Sequence, residues 1–316
     1  MKRSEEAVSD ILPLKPQIRL TRTQRKIIEA KNAIYFQPQP DADDLTFSAR
    51  ELVQATLPHQ TPRGNPPEWV RRNGNYTLSI RPGYKDHERT GERVCIGYPF
   101  GNIPRLLLFW LTTEALRTGG RRLELGGSLA GFMRELGLDP NRGGRGSPRA
   151  RLHDQIERLF NASISFQYKG EGYRQWLNME VTSKGELWWD FKQPDQRDLF
   201  SSWVELGETF YEALVTHPVP LDMRTLQALK SSSLALDLYA WLAYRSHRVN
   251  QVKKPAFIPW KQMHQQFGAS YSDLKDFRKR AKDALRKVLV VYHHLKVEEV
   301  RGGIKISPGF PLITAH

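Results

Sequence analysis

The spacing of apolar and polar positions divides this chain into stretches of different period. Residues 1 to 20 show no periodicity and contain Pro13 and Pro16, as expected of a mobile arm. Residues 23–30 have helical spacing after a threonine cap, and then Pro38, Pro40, Pro58, Pro62, Pro66 and Pro67 mark loops. Residues 76–80 and 94–98 alternate and read as strands. From 103 to 117 apolar side chains fall on nearly every face, with Pro104 suited to a first turn and Gly119 and Gly120 as the stop. A helix that is oily all round belongs at the centre of a domain.

After that helix a pattern occurs twice. Residues 122–125 make a short strand, Ser128 caps a helix that ends at Gly137, and Ser147-Pro148 opens another to Phe160. Residues 163–168 and 187–191 then read as strands, with 173–181 between them. In the last hundred residues a long helix is expected from Leu221 to Arg248, a strand at 257–260 and a two-turn helix from Lys261 to Phe267 closed by Gly268. Ser270 to Asp273 fits a capping box that opens a helix to Leu289, and 294–298 with 303–306 pair as a hairpin across Arg301 and Gly302. Helix, strand, helix, helix, hairpin is the order of a winged helix. The expected fold class is therefore α+β, two tandem winged-helix domains at 75–216 and 217–316, preceded by a partly irregular N-terminal extension at 1–74.

Charge sharpens this picture. The 316 residues carry 48 Lys and Arg against 34 Asp and Glu, a net charge of +14. From His217 onward there are 17 basic and 7 acidic residues, so this last stretch holds +10 of the +14. A concentrated excess is the footprint of a domain that neutralises phosphates. On a helical wheel with Leu274 at zero, Leu274, Phe277, Ala281, Leu285 and Val288 form one stripe. Lys275, Lys279, Lys282 and Arg286 fall together at about 80–140° from Leu274, beside it. One packed face and a flank of cations suit insertion into a major groove. Ser272, Lys275, Arg278 and Lys279, nearest the start of the helix, are the candidates for base edges, and Lys282 and Arg286 for phosphates. In the hairpin, Arg301 and Lys305 are candidates for backbone or minor groove. In the first unit Arg142, Arg145 and Arg149 stand in or beside a glycine-rich loop, which reads equally as a flexible basic loop or as a DNA contact.

Other chemistries find little support. Hydrophobic residues at 39% and charged residues at 26% exclude a wholly disordered chain, and the longest apolar run, residues 106–111, is far too short to span a bilayer. No signal peptide is expected, and one cysteine, Cys95, fits a reducing cytoplasm and no disulfide. Ser128 stands in a near-imitation of a nucleophile elbow, but Ala130 replaces its last glycine. The 143–147 loop lacks the lysine of a phosphate-binding loop. His293 and His294, adjacent on a strand, point to opposite faces, and Asp41, Asp43 and Asp44 suit a turn and a helix start. No enzyme, metal or cofactor is expected.

One stretch is more specific. Residues 97–108, Gly-Tyr-Pro-Phe-Gly-Asn-Ile-Pro-Arg-Leu-Leu-Leu, followed by Leu111 to Ala115, resemble the plasmid-encoded RepA replication initiator family. The likeness continues through residues 123–126, 132–138 and 142–149, and it covers mainly 75–300. It implies two winged-helix units and a protein that binds double-stranded DNA at directly repeated origin sites (iterons) and helps open the origin. It further implies a homodimer that represses its own gene, with dimerisation through the first unit, and recruitment of a host initiator and replicative helicase. A tandem winged-helix repressor without a role in replication fits the same helix chemistry.

Overall fold

The computed structural model describes residues 20–87, 89–142, 144, 146–190, 193–196, 200–268, 270–309 and 313. The first helix, α1 (Arg22–Phe36), opens at Thr21, whose hydroxyl accepts from the Gln24 amide while the Gln24 side chain accepts from the Thr21 amide. It runs a turn and a half past the expected end because Ile27 and Ile34 share one buried side. Then come β1 (Leu45–Ala49), α2 (Arg50–Gln54), β2 (Trp69–Asn73), β3 (Tyr76–Arg81), β4 (Gly83–Asp86) and β5 (Arg93–Gly97). The acidic cluster forms a turn in which Asp41 accepts from the Asp44 amide at 3.0 Å, but a strand follows it, not a helix.

The oily helix is α3 (Ile103–Thr118), buried without interruption from Ile103 to Thr112 and stopped by Gly119 at φ 64°. Next are β6 (Arg122–Gly126), α4 (Leu129–Glu135) and α5 (Pro148–Phe160). Ser128 and Ser147 cap the two helices as expected, and Gly137 takes the left-handed φ of 67° where Gln227 comes too close for a Cβ. After α5 lie β7 (Ser163–Lys169), β8 (Arg174–Glu180), β9 (Thr182–Glu186) and β10 (Ser202–Leu206). Residues 187–190, expected as a strand, form none, and Phe191 lies outside the described residues. Trp189 instead stacks on Phe132 at 5.1 Å and donates its indole N–H to the Gly126 carbonyl, which draws the segment onto α4 and out of the ladder.

The chain continues through α6 (Glu208–Thr216), β11 (Pro218–Asp222), α7 (Met223–Leu229), α8 (Ser233–Val252), β12 (Ala256–Pro259), α9 (Trp260–Phe267), α10 (Leu274–Val291), β13 (Val297–Val300) and β14 (Gly303–Ile306). The single long helix expected from Leu221 is thus two. Asp222 caps α7 through the Arg224 amide, and Ser232, within a run of three serines, caps α8 through the Ala235 amide.

Two three-stranded antiparallel sheets share one spatial order, β6-β10-β9 and β12-β14-β13. In the first unit the β7–β8 hairpin is diverted into a separate sheet, β2-β3-β7-β8, and β9 and β10 take the places that β13 and β14 hold in the second. Residues 20–74 are woven into both units: β2 pairs with β3 and β1 packs on α3 of the first, while β1 pairs with β11, α2 packs on α8, and α1 packs on α7 and α10 of the second. Among the described residues no helix is long and apolar enough to cross a membrane.

A charged cluster sits inside this core. Arg105 of α3 is 3% exposed and Asp237 of α8 is 6% exposed. Arg105 Nε and Nη2 donate to the two carboxylate oxygens at 2.6 and 2.7 Å, while Nη1 and Nη2 reach the carbonyls of Leu57, Pro58 and Gly101. The His59 imidazole completes the group, its Nε2 lying 2.7 Å from Asp237 Oδ2. Burial pushes the His59 pKa down against the pull of Asp237, so the ring is neutral and donates. Burial alone would raise the Asp237 carboxyl, but Arg105 and His59 outweigh it and hold it below the usual range.

Arg105→Met should cost about 3–5 kcal/mol by strand- and helix-monitored urea unfolding, because it strands a buried carboxylate; a loss under about 1 kcal/mol would show the pair to be dispensable. The folded His59 pKa lies below the unfolded value near 6.5, so its share of stability is complete above pH 6.5 and shrinks as pH falls through and below it. His59→Gln should flatten the pH dependence of the urea midpoint between pH 7 and 5, and an unchanged slope would contradict this.

Candidate nucleic-acid interface

The start of α10 is set by a different residue from the one expected. Asp273, extended at φ −148° and ψ 172°, accepts from the Asp276 amide at 2.8 Å and is the N-cap. The Ser270 capping box is therefore not formed, and the helix starts later. Tyr271 explains the delay: its amide bonds to the Gly268 carbonyl, and its ring packs edge-on against Phe277 at 5.6 Å and His59 at 6.4 Å. The turn is pinned to the core before the helix begins. Ser272 lies exposed in that turn, outside the helix.

The buried side of α10 is Phe277, Ala281, Ala284, Leu285, Val288 and Val291. Leu274, placed on this stripe by the wheel, is instead 41% exposed, since the core begins one turn later at Phe277. With Leu274 outside it, the buried arc centres nearer Phe277 and Val288, and Lys275, Lys279, Lys282 and Arg286 lie at about 140–200° from Phe277.

They are not equivalent. Lys275 and Lys279 are exposed and form no ion pair among the described residues. Arg286 pairs with Asp283 at 2.9 Å on its own helix. Arg278 lies 3.4 Å from Glu299 of β13 and 5.8 Å from the centre of the Trp260 ring, and Lys282 bonds to the same Glu299 carboxylate. The hydrogen bond from Lys282, with Arg278 beside it, holds the Glu299 carboxyl below its ordinary pKa. Glu299 is the residue that sequence reasoning missed, although the acidic pair Glu298-Glu299 in an otherwise basic region was its signal.

The hairpin is less convergent than expected. Arg301 is exposed in its turn, where Gly302 takes φ 88°. Lys305 faces the same way as its cross-strand neighbours Glu298 and Phe257, whereas Glu299 shares its side with buried Ile304 and reaches α10. Lys305 thus stands on the sheet face turned from α10. In the first unit Arg145 lies outside the described residues, and Arg149 is partly buried in the first turn of α5. Arg142 lines a cleft with Arg22, Lys26, Arg151 and Lys230, drawn from parts of the chain that no local reading joins.

The stretch of residues 97–105 is structural. Tyr98 is fully buried with its hydroxyl donating to the Pro66 carbonyl at 2.6 Å, the Phe100 amide donates to Gln155, and the Gly101 carbonyl accepts from Arg105. The same region carries the family match: the model described as "Plasmid encoded RepA protein" covers residues 98–262, just over half of the chain. The chain belongs to this family. In this RepA-family protein the match runs from the end of β5 into α9 and leaves α10 and the β13–β14 hairpin outside it. Two solved structures are similar to it. Domains 2 and 3 of RctB are 13% identical, with 81% of this chain and 96% of that one covered and a TM-score of 0.46. A selenomethionine derivative of the same two domains is 13% identical, with 81% and 95% covered and a TM-score of 0.48. No curated protein matches the chain.

Replacing Asp273 by Ala should cost about 1 kcal/mol of unfolding free energy, the usual worth of an N-cap, and Ser270→Ala should cost much less. The reverse ranking in urea melts would put the cap at Ser270.

Proposed function

We propose that this protein is a DNA-binding initiator of plasmid replication that reads duplex DNA with α10. In this reading each unit is a winged helix, the second being the main reader, with the β13–β14 hairpin as its wing. The observation that carries it is the cationic side of α10, opposite a fully packed side and holding two unpaired lysines. Family membership supports the plasmid setting and the role at an origin. Lys275 and Lys279 are the leading candidates for groove contacts, with Ser272 at the mouth of the helix. Arg278 and Lys282 are held by Glu299 in the free protein and reach DNA only by exchanging that carboxylate for phosphate or a base edge. Binding as a homodimer at its own gene, as a monomer at repeated sites, and recruitment of host initiator and helicase belong to the same reading. It requires no catalysis, metal or cofactor.

The test is footprinting with DNA that flanks the protein's own gene, where directly repeated protected sites are expected. Lys279→Ala should weaken binding to such a site by about 1–3 kcal/mol if a base contact is lost. Binding should also weaken steeply with salt, by about 0.9 log units per log of salt for each phosphate neutralised. An unchanged preference between sites in the Lys279 variant, or a flat salt profile, would reject α10 as the reader.

A further inference from the structure

A second cationic feature lies away from the exposed side of α10. The cleft lined by Arg142 encloses about 620 Å³ between α1, the end of α7 and the turn before α5. Its walls carry Arg22 and Lys26 from α1, Lys230 from the C-cap of α7, and Arg142 and Arg151 from the first unit. One acid, Asp139, borders it, and its carboxylate is engaged by the Asn141 amide at 3.1 Å. Among the described residues none of the five cations forms an ion pair.

Lys230 is the informative member. Its ammonium is held in place by the Gly137 carbonyl and by Gln227 Oε1 at 2.9 Å, so it is not a freely waving surface lysine. Burial, with Lys26 and Arg22 close by, brings its pKa down to about 8. The positive charges of Lys26 and Arg22 oppose that of Lys230 across the cleft they line together, a repulsion that a bound anion would relieve. The hydroxyls of Thr23 and Ser231 add neutral donors along the same wall. Five cations with neutral donors against a single acid are the chemistry of a phosphate site.

We propose that this cleft holds phosphates of the DNA backbone, as a second contact of the duplex that is separate from the reading side of α10. It rests on the reading of α10 given above, and it assigns Arg22, Lys26, Lys230, Arg142 and Arg151 to affinity and positioning, not to sequence. Duplex DNA is favoured because the cleft is wide, open and lined from three segments, and because α1, which forms one wall, also packs along α10. In this proposal the closely spaced phosphates of one duplex serve both places.

The test uses the full-length protein in fluorescence-anisotropy titrations with a random-sequence duplex and footprints on the gene's flanking DNA. The double variant Lys26→Gln with Lys230→Gln, and separately Arg142→Gln with Arg151→Gln, should each lower the log–log salt slope by about one to two units and leave the footprint pattern unchanged. Removing the like-charge contact should not lower the melting temperature of the lysine variant. If that variant fails to fold, the arginine pair, exposed on the surface, decides the matter alone. Wild-type slopes in the variants overturn the cleft while leaving α10 as the reader; no DNA binding by the wild-type protein overturns both. Titration with inorganic phosphate separates a free anion from DNA. A phosphate-dependent rise in melting temperature that the variants lose, with their salt slopes unchanged, would give the cleft to free phosphate and overturn the backbone contact.

Discussion

The guanidinium of Arg105 joins the two halves of the molecule. Its five N–H donors meet five acceptors: two carboxylate oxygens of Asp237 and the carbonyls of Leu57, Pro58 and Gly101. Stripping a guanidinium and a carboxylate of water costs several kcal/mol each, roughly, and only a fully satisfied geometry offsets it. The acceptors come from the loop after α2, from the turn before α3 and from α8, so the arrangement exists only when all three are in place. A hydrophobic pair would hold the same helices together but would tolerate sliding. The forked ion pair admits one register, and that is its structural value here.

From this point order extends to the candidate interface. His59 donates to Asp237, the Tyr271 ring rests against His59, and Phe277 rests against Tyr271. The first turn of α10 is therefore referenced to the same buried charge that fixes α3 against α8. Residues 20–74 add a second tie, with β1 paired to β11 and α1 laid over α7 and α10. The N-terminal segment thus contributes to the placement of a helix more than two hundred residues away in sequence.

Local features were legible in the sequence where a local force decides them. The oily helix around Leu107, the caps at Ser128 and Ser147, the left-handed Gly137 and the strand-helix-helix-hairpin order after Lys254 all follow from spacing and from backbone groups needing partners. Distant partners were not legible. Nothing near residue 187 announces that Trp189 will bury itself on Phe132, and two S-x-x-D/D-x-x-D registers compete at the start of α10 until Tyr271 packs. The break at Ser231-Ser232-Ser233 was written in the chain, but helical spacing on both sides concealed it. The buried pair also left a trace: Arg105 and Asp237 are each the one charge in the apolar first half of their helix, and such residues are rarely buried without a partner. At the candidate interface the cationic side was legible, but its true angle and its division between free and engaged residues depended on where burial began and on one acid from another strand.

Glu299 has a kinetic implication. A carboxylate parked against Arg278 and Lys282 behaves as an internal decoy for phosphate: any backbone that reaches those two side chains must first evict it. On the reading proposed for α10, eviction would be repaid in full only where the remaining contacts fit, so these cations would discriminate against loosely seated complexes more than they add to general stickiness. A protein with so large a positive excess, set among a vast surplus of irrelevant duplex, would gain by leaving wrong places quickly. The acid on the hairpin would shorten those stays without weakening the final one to the same degree.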